Sequence, residues 1–164
     1  MLLFLAVTTA KAQYQLKENY LPDEISILDY ASILNTGPKD LNINYLIKNS
    51  EKLKFKPLSG KFGNLGFTSD NFWVKFQIQN TLDVPTLYYL QTAEPVTDNV
   101  YLYLFGNNST IELQKSGDNL NFSEKSIPNR KTIFKIELEP GESKSAFIKL
   151  KNDGEKNSLP LILL

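Results

Sequence analysis

Histidine and cysteine are both absent from this 164-residue chain, which narrows the chemistry open to it. No disulfide, thiolate nucleophile, Cys/His zinc site or Ser-His-Asp triad can be assembled. Carboxylates, lysines, tyrosines and hydroxyls remain. Glu94, Asp98 and Asp118 could be cast as the acid and base of a glycosidase, but their spacing gives that pairing no support. The chain is read as non-enzymatic, with no catalytic residue, no cofactor and no metal ligand set. Oxygen-rich turns at Asp118-Asn119 and Asn152-Asp153 could hold a structural Ca2+, although no EF-hand-like spacing accompanies them.

Binding is better served than catalysis. Trp73 is the sole tryptophan and falls on the polar side of an alternating strand. It could be a stacking platform for a sugar ring, or it could be covered by residues 25–58 with its N–H bonded to a carbonyl. Tyr101 and Tyr103 share one face of their strand, with Tyr88 or Tyr89 nearby if the strands pair. They form either an aromatic strip for a ligand or ordinary cross-strand packing. Arg130 is the sole arginine among 18 basic residues. Its guanidinium can grip a carboxylate bidentately where lysine cannot, so it is either a ligand clamp or a structural partner of Asp98 or Asp118. The candidate ligand-binding residues are therefore Trp73, Tyr101, Tyr103, Asp98, Asp118 and Arg130.

These residues must be positioned by strands. From Leu65 onward the hydrophobic period is two. Phe72, Val74, Phe76 and Ile78 fall on one face and Trp73, Lys75, Gln77 and Gln79 on the other, the pattern of a half-buried strand. Strands are also expected over 86–92, 99–105, 110–115, 131–138 and 144–151, with a last one beginning at Ser158. Gly106-Asn107-Asn108-Ser109 and Glu139-Pro140-Gly141-Glu142 have turn chemistry. Upstream, Ile25–Tyr30 could open a sheet, which Asn35-Thr36-Gly37-Pro38 breaks. One short helix is expected over 41–50 with Asp40 as its N-cap, followed by a short strand ended by Pro57. Seven or eight short strands with a turn every 8–12 residues read as a mostly-β protein, a β-sandwich or jelly roll. Phe72, Val74, Phe76, Ile78, Phe134, Ile136, Ile148 and Leu150 should share one core.

Acidic and basic residues balance at 18 each. Without a basic surplus there is nothing to collect phosphates, which argues against a nucleic-acid partner. Residues 1–12 read as a signal peptide with a truncated basic region, its Ala10-x-Ala12 fitting a signal-peptidase site. The apolar run within it is too short to span a bilayer, which takes about 20 residues. Residues 13–24 are polar and read as a loosely held lead-in. Residues 25–164 form the sandwich, incomplete at its C-terminal end because the chain stops inside the apolar run Leu161–Leu164.

An ordered set of short stretches resembles a known family. It comprises Leu65-Gly66-Phe67-Thr68, then Phe72-Trp73-Val74-Lys75-Phe76 and Asn80. Pro95-x-x-Asp98-x-Val100-x-Leu102-Tyr103 and Ser116-Gly117-Asp118 follow, and then Pro128-Asn129-Arg130, Phe134 and Leu138-Glu139-Pro140-Gly141-Glu142. In order and spacing these are similar to the type-2 extracellular domain of bacterial seven-transmembrane receptors with diverse intracellular signalling modules. The resemblance implies a jelly-roll sandwich like a carbohydrate-binding module. It also implies a periplasmic sensor anchored at the inner membrane through a region downstream of Leu164, binding a carbohydrate or related small molecule. Signalling through a domain pair, a homodimer, would follow. The competing readings are a carbohydrate-binding module of a secreted hydrolase and a structural protein-interaction module.

Overall fold

Strict alternation leaves a strand little choice of register, because a slip of one residue would turn every apolar side chain to water. The computed structural model, which describes residues 13–17, 24–58, 63–93, 97–106, 110–154 and 156–164, bears this out. In chain order the strands are β1 (Gln13–Leu16), β2 (Ile25–Ser26), β3 (Ser32–Gly37), β4 (Lys56–Pro57), β5 (Asn64–Phe67), β6 (Asn71–Asn80), β7 (Thr86–Thr92), β8 (Asn99–Phe105), β9 (Ile111–Ser116), β10 (Ile133–Leu138), β11 (Ser143–Lys151), β12 (Lys156–Ser158) and β13 (Leu161–Leu163). A helix, α1 (Ile43–Asn49), follows β3.

Among the described residues the strands form a seven-stranded sheet in the order β4-β3-β6-β11-β8-β9, with β1 also on β6, a four-stranded sheet β10-β7-β13-β2, and the ladder β12-β5. From β6 onward the chain passes repeatedly between the two larger sheets, and only β8 and β9 follow one another within one. This winding makes the protein a jelly-roll β-sandwich. All eight residues expected to share a core do so, joined by Val100, Leu102 and Leu104 of β8 and Leu161 and Leu163 of β13. Burying each such side chain is worth about 1.5–3 kcal/mol. At the open corner between the sheets, the buried Gln114 of β9 acts as a substitute strand. Its amide donates to the Lys135 carbonyl (2.7 Å) and accepts from the Lys135 N–H (2.9 Å), linking the edges of β9 and β10.

Several local expectations are corrected. The segment starting at Gln13 is no loose lead-in: β1 pairs in parallel with β6 from Gln13↔Gln77 to Leu16↔Asn80, and Leu16 is fully buried in the core. The Asn35–Pro38 cluster ends a strand as expected, at Gly37, but that strand is β3 and not one opening at Ile25, and its register against β6 shifts between Asn35 and Gly37. The helix is shorter than expected and is capped by Asn42, whose side chain accepts from the Tyr45 N–H, and not by Asp40. The Glu139–Glu142 turn is as expected, with Gly141 at φ 72° and a Glu142 N–H to Glu139 carbonyl bond. The expected signal peptide, Glu94, Pro95 and the Asn107–Ser109 turn lie outside the described residues.

Candidate functional site

The outer face of the seven-stranded sheet, turned away from the core, carries the aromatic candidates. Register sets Trp73 of β6 opposite Lys149 of β11, and Lys149 opposite Tyr101 of β8. In the next row Lys75, Phe147 and Tyr103 lie side by side. Tyr103 reaches diagonally across β11 to Trp73, with ring centroids 5.6 Å apart. The Lys149 ammonium sits 5.5 Å from the centre of the Trp73 ring.

This face is covered in part. Trp73 is fully buried although it does not belong to the core between the sheets, and the same holds for Leu46 of α1. The stretch carrying α1 is pinned to the face at both ends. Asp40 forms ion pairs with Lys149 and, at 2.6 Å, with Lys151, while the Lys75 ammonium lies 4.3 Å above the Phe55 ring. Hydrogen bonds from Lys149 and Lys151 hold the Asp40 carboxyl below the usual carboxylate range. Burial, with the neighbouring Tyr101 and Asp40, pushes the Tyr103 hydroxyl up. Trp73 lies opposite Leu34 of β3 in register, and its Nε1 is buried and has no hydrogen-bond partner, where a carbonyl was expected. Tyr88 and Tyr89 do not join this strip, because β7 belongs to the other sheet.

Asp98 and Asp118 meet at one end of this sheet. The Asp118 N–H donates to the Thr97 carbonyl (2.9 Å), and the Asn119 N–H donates to the Asp98 carbonyl (3.0 Å). The Asn119 amide donates to Asp98 Oδ1 (3.1 Å). Gly117, at φ 126°, fits against this backbone. These motif residues therefore latch the turn after β9 onto the start of β8. Arg130 is not part of the latch: it is exposed and makes no ion pair with Asp98 or Asp118, so the expected structural pairing does not form. Among the described residues no group of His, Cys, Asp or Glu side chains is arranged to hold a metal ion.

Partial burial, then the charges of Asp153 and Asp118, push the Asp98 carboxyl above its usual range. A raised native pKa means that this group's contribution is complete below the unfolded-state pKa and is lost as pH rises through the native value. Asp98→Asn keeps the acceptor used by Asn119 and removes the charge. It should raise the melting temperature at pH 7, with the gain vanishing as pH falls through the carboxylate range. Thermal melts from pH 3 to 7 check this, and an equal gain at every pH would refute the electrostatic account.

Asp40, Lys149 and Lys151 escaped sequence reasoning as site residues. Alternation does place both lysines on the face of Trp73, but Asp40 lies 111 residues before Lys151, and no local pattern links them.

No curated protein matches the sequence. Among solved structures, a family 35 carbohydrate binding module from Clostridium thermocellum aligns over 87% of this chain and 98% of its own, at 11% identity and a TM-score of 0.42. No helix among the described residues is long and apolar enough to cross a membrane. The model of the family 7TMR-DISM extracellular 2 matches residues 28–164, which takes in the sandwich from the turn before β3 to β13 and contains both the Trp73 face and the Asp98 latch. The chain belongs to this family, the type-2 extracellular domains of 7TMR-DISM receptors.

Proposed function

We propose that this protein is the non-catalytic, periplasmic ligand-sensing domain of a receptor anchored in the inner membrane, and that its ligand is a carbohydrate or related small molecule. The observation that carries the receptor reading is the family match across residues 28–164. The aromatic and lysine face built on Trp73, Tyr101, Tyr103 and Lys149 supports the ligand class: aromatic rings suit the C–H face of a sugar, and the lysines and tyrosine hydroxyls can bond its oxygens. Binding transmits a signal only if the ligand favours one of two arrangements of the domain or of a domain pair. The cover over Trp73, pinned through Asp40 and Phe55, is an element that can differ between them.

Two measurements test this. The gene downstream of Leu164 should encode about seven apolar stretches of about 20 residues each. A stop codon, or a soluble hydrolase domain, would overturn the receptor reading and favour a secreted binding module. In a thermal-shift screen of mono- and oligosaccharides, a true ligand at about a hundredfold excess over its Kd should raise the melting temperature by about 5 °C or more without being consumed. Stabilisation by no saccharide would remove the carbohydrate class, and turnover would overturn the non-catalytic reading.

One observation favours a protein-interaction surface as a second reading. On the outer face of the four-stranded sheet, Leu87, Tyr89 and Leu164 are exposed side by side.

A further inference from the structure

A buried ammonium is costly unless an opposite charge accompanies it. Lys149 is only 9% exposed, and the carboxylate it meets is that of Asp40, whose own side chain is 48% exposed. Lys151 reaches the other oxygen of the same carboxylate. The lysine end of this contact is thus built into the sheet, while the carboxylate comes from a solvent-facing segment. Around the pair lie groups that an aspartate side chain does not use. The Trp73 ring is beneath Lys149 and beside Tyr103, Tyr101 is next to Lys149 in register, and the buried Trp73 N–H is unpartnered.

We propose that Lys149 and Lys151 form a carboxylate-binding site that Asp40 fills from within the chain, and that the sensed ligand is an acidic sugar whose carboxylate displaces Asp40 and frees the α1 segment from the Trp73 face. This rests on the sensing role proposed above and narrows its ligand to a ring bearing a carboxylate. The carboxylate replaces that of Asp40 between the two ammonium groups. The sugar's C–H face packs on the aromatic side chains, and a hydroxyl accepts from Trp73 Nε1. The exchange of one carboxylate for another conserves charge at Lys149, so the buried ammonium is never left alone. The Asp40 carboxylate is about half exposed, so an incoming carboxylate can reach both ammonium groups from the solvent side and take its place.

Trp73 is the sole tryptophan, so its fluorescence reports on the site directly. D-glucuronate, D-glucose and acetate would be titrated into the wild-type protein, Asp40→Asn, Lys151→Gln and Lys149→Met, following Trp73 emission and the heat of binding. D-glucuronate should bind saturably and change the emission. Asp40→Asn should bind it roughly tenfold more tightly, because the internal competitor is gone. Lys151→Gln should bind it more weakly, and folded Lys149→Met should lose the response. If Lys149→Met does not fold, Asp40→Asn and Lys151→Gln decide the matter alone. D-glucose binding as tightly as D-glucuronate, with no effect of Asp40→Asn, would overturn the proposal while leaving carbohydrate sensing intact. Acetate binding as tightly as D-glucuronate would overturn the acidic-sugar assignment. If none of the three probes binds any variant, the proposal fails, and the receptor reading still stands or falls on the downstream gene.

Discussion

Gly117→Ala is expected to destabilise the domain by about 3–5 kcal/mol, a large part of the stability of an ordinary domain. Two costs combine. Gly117 has φ 126°, a region that side-chain-bearing residues adopt only at a cost of about 1–3 kcal/mol. A Cβ there would also stand 2.3 Å from the Asp98 carbonyl oxygen and 2.8 Å from Asn99 Cα. Both are backbone atoms at the start of β8, so no rotamer change can make room, and overpacking of this kind typically costs a further 1–3 kcal/mol. Relief would come only by prising the turn away and breaking the Asp118-to-Thr97 and Asn119-to-Asp98 bonds. Gly154 provides the control. Its φ is 123°, yet apart from its own chain neighbours nothing lies within 4 Å of the position a Cβ would take. Gly154→Ala should therefore show the conformational cost alone. Urea denaturation of both variants separates the terms, and equal losses would show that the contact with Asp98 contributes nothing.

The contrast between these glycines also shows what can be read from sequence. Ser116-Gly117-Asp118 is recognisable as a turn, but its partner at Thr97–Asn99 is set by the pairing of β8 with β9. The core was legible because its cause is local: in β6 every second residue is apolar, and only one register buries all four. The same alternation put Trp73, Tyr101, Tyr103, Lys149 and Lys151 on their correct faces. It carries no information on strand order, however. Inserting β11 between β6 and β8 brings Lys149 between Trp73 and Tyr101, while β7, adjacent to β8 in sequence, takes Tyr88 and Tyr89 to the other sheet. Asp40 was misread because Asp and Asn both suit an N-cap. Asn42 takes that role one turn before Leu46, leaving Asp40 to partners more than a hundred residues away. The four-residue β1 alternates Gln-Tyr-Gln-Leu, too short a run to stand out from its polar surroundings, and its pairing depends on a place beside β6 that β3 leaves open.

Asn80→Ala should cost about 3–4 kcal/mol, and Asn80→Asp should cost more at neutral pH than in acid. Asn80 ends β6 and is completely buried. Its amide nitrogen donates to the carbonyls of Val84 (2.8 Å), Glu139 (3.2 Å) and Leu138 (3.3 Å), and its Oδ1 accepts from the Leu82 N–H (3.0 Å). One side chain thus ties the turn after β6 to the end of β10 and the Pro140-Gly141 turn. Alanine would strand the Leu82 N–H and the carbonyls, and each buried polar group left unpaired costs about 1–3 kcal/mol. Aspartate is nearly the same shape but replaces the donor with an acceptor. Ionised, it would direct negative charge at three carbonyl oxygens from a fully buried position; protonated, it could still donate one hydrogen bond. Its native pKa must therefore lie above the unfolded-state value of about 3.9. A raised pKa makes its contribution complete below the unfolded value and progressively lost as pH rises through the native value. Stability of Asn80→Asp relative to wild type should accordingly improve as pH is lowered from 7 towards 4, whereas the deficit of Asn80→Ala should stay constant. Chemical denaturation of the three proteins across that range gives the answer. A pH-independent deficit for Asn80→Asp would mean that water or a rearranged turn satisfies the carboxylate, and that the donor role assigned to Asn80 does not hold the two turns together.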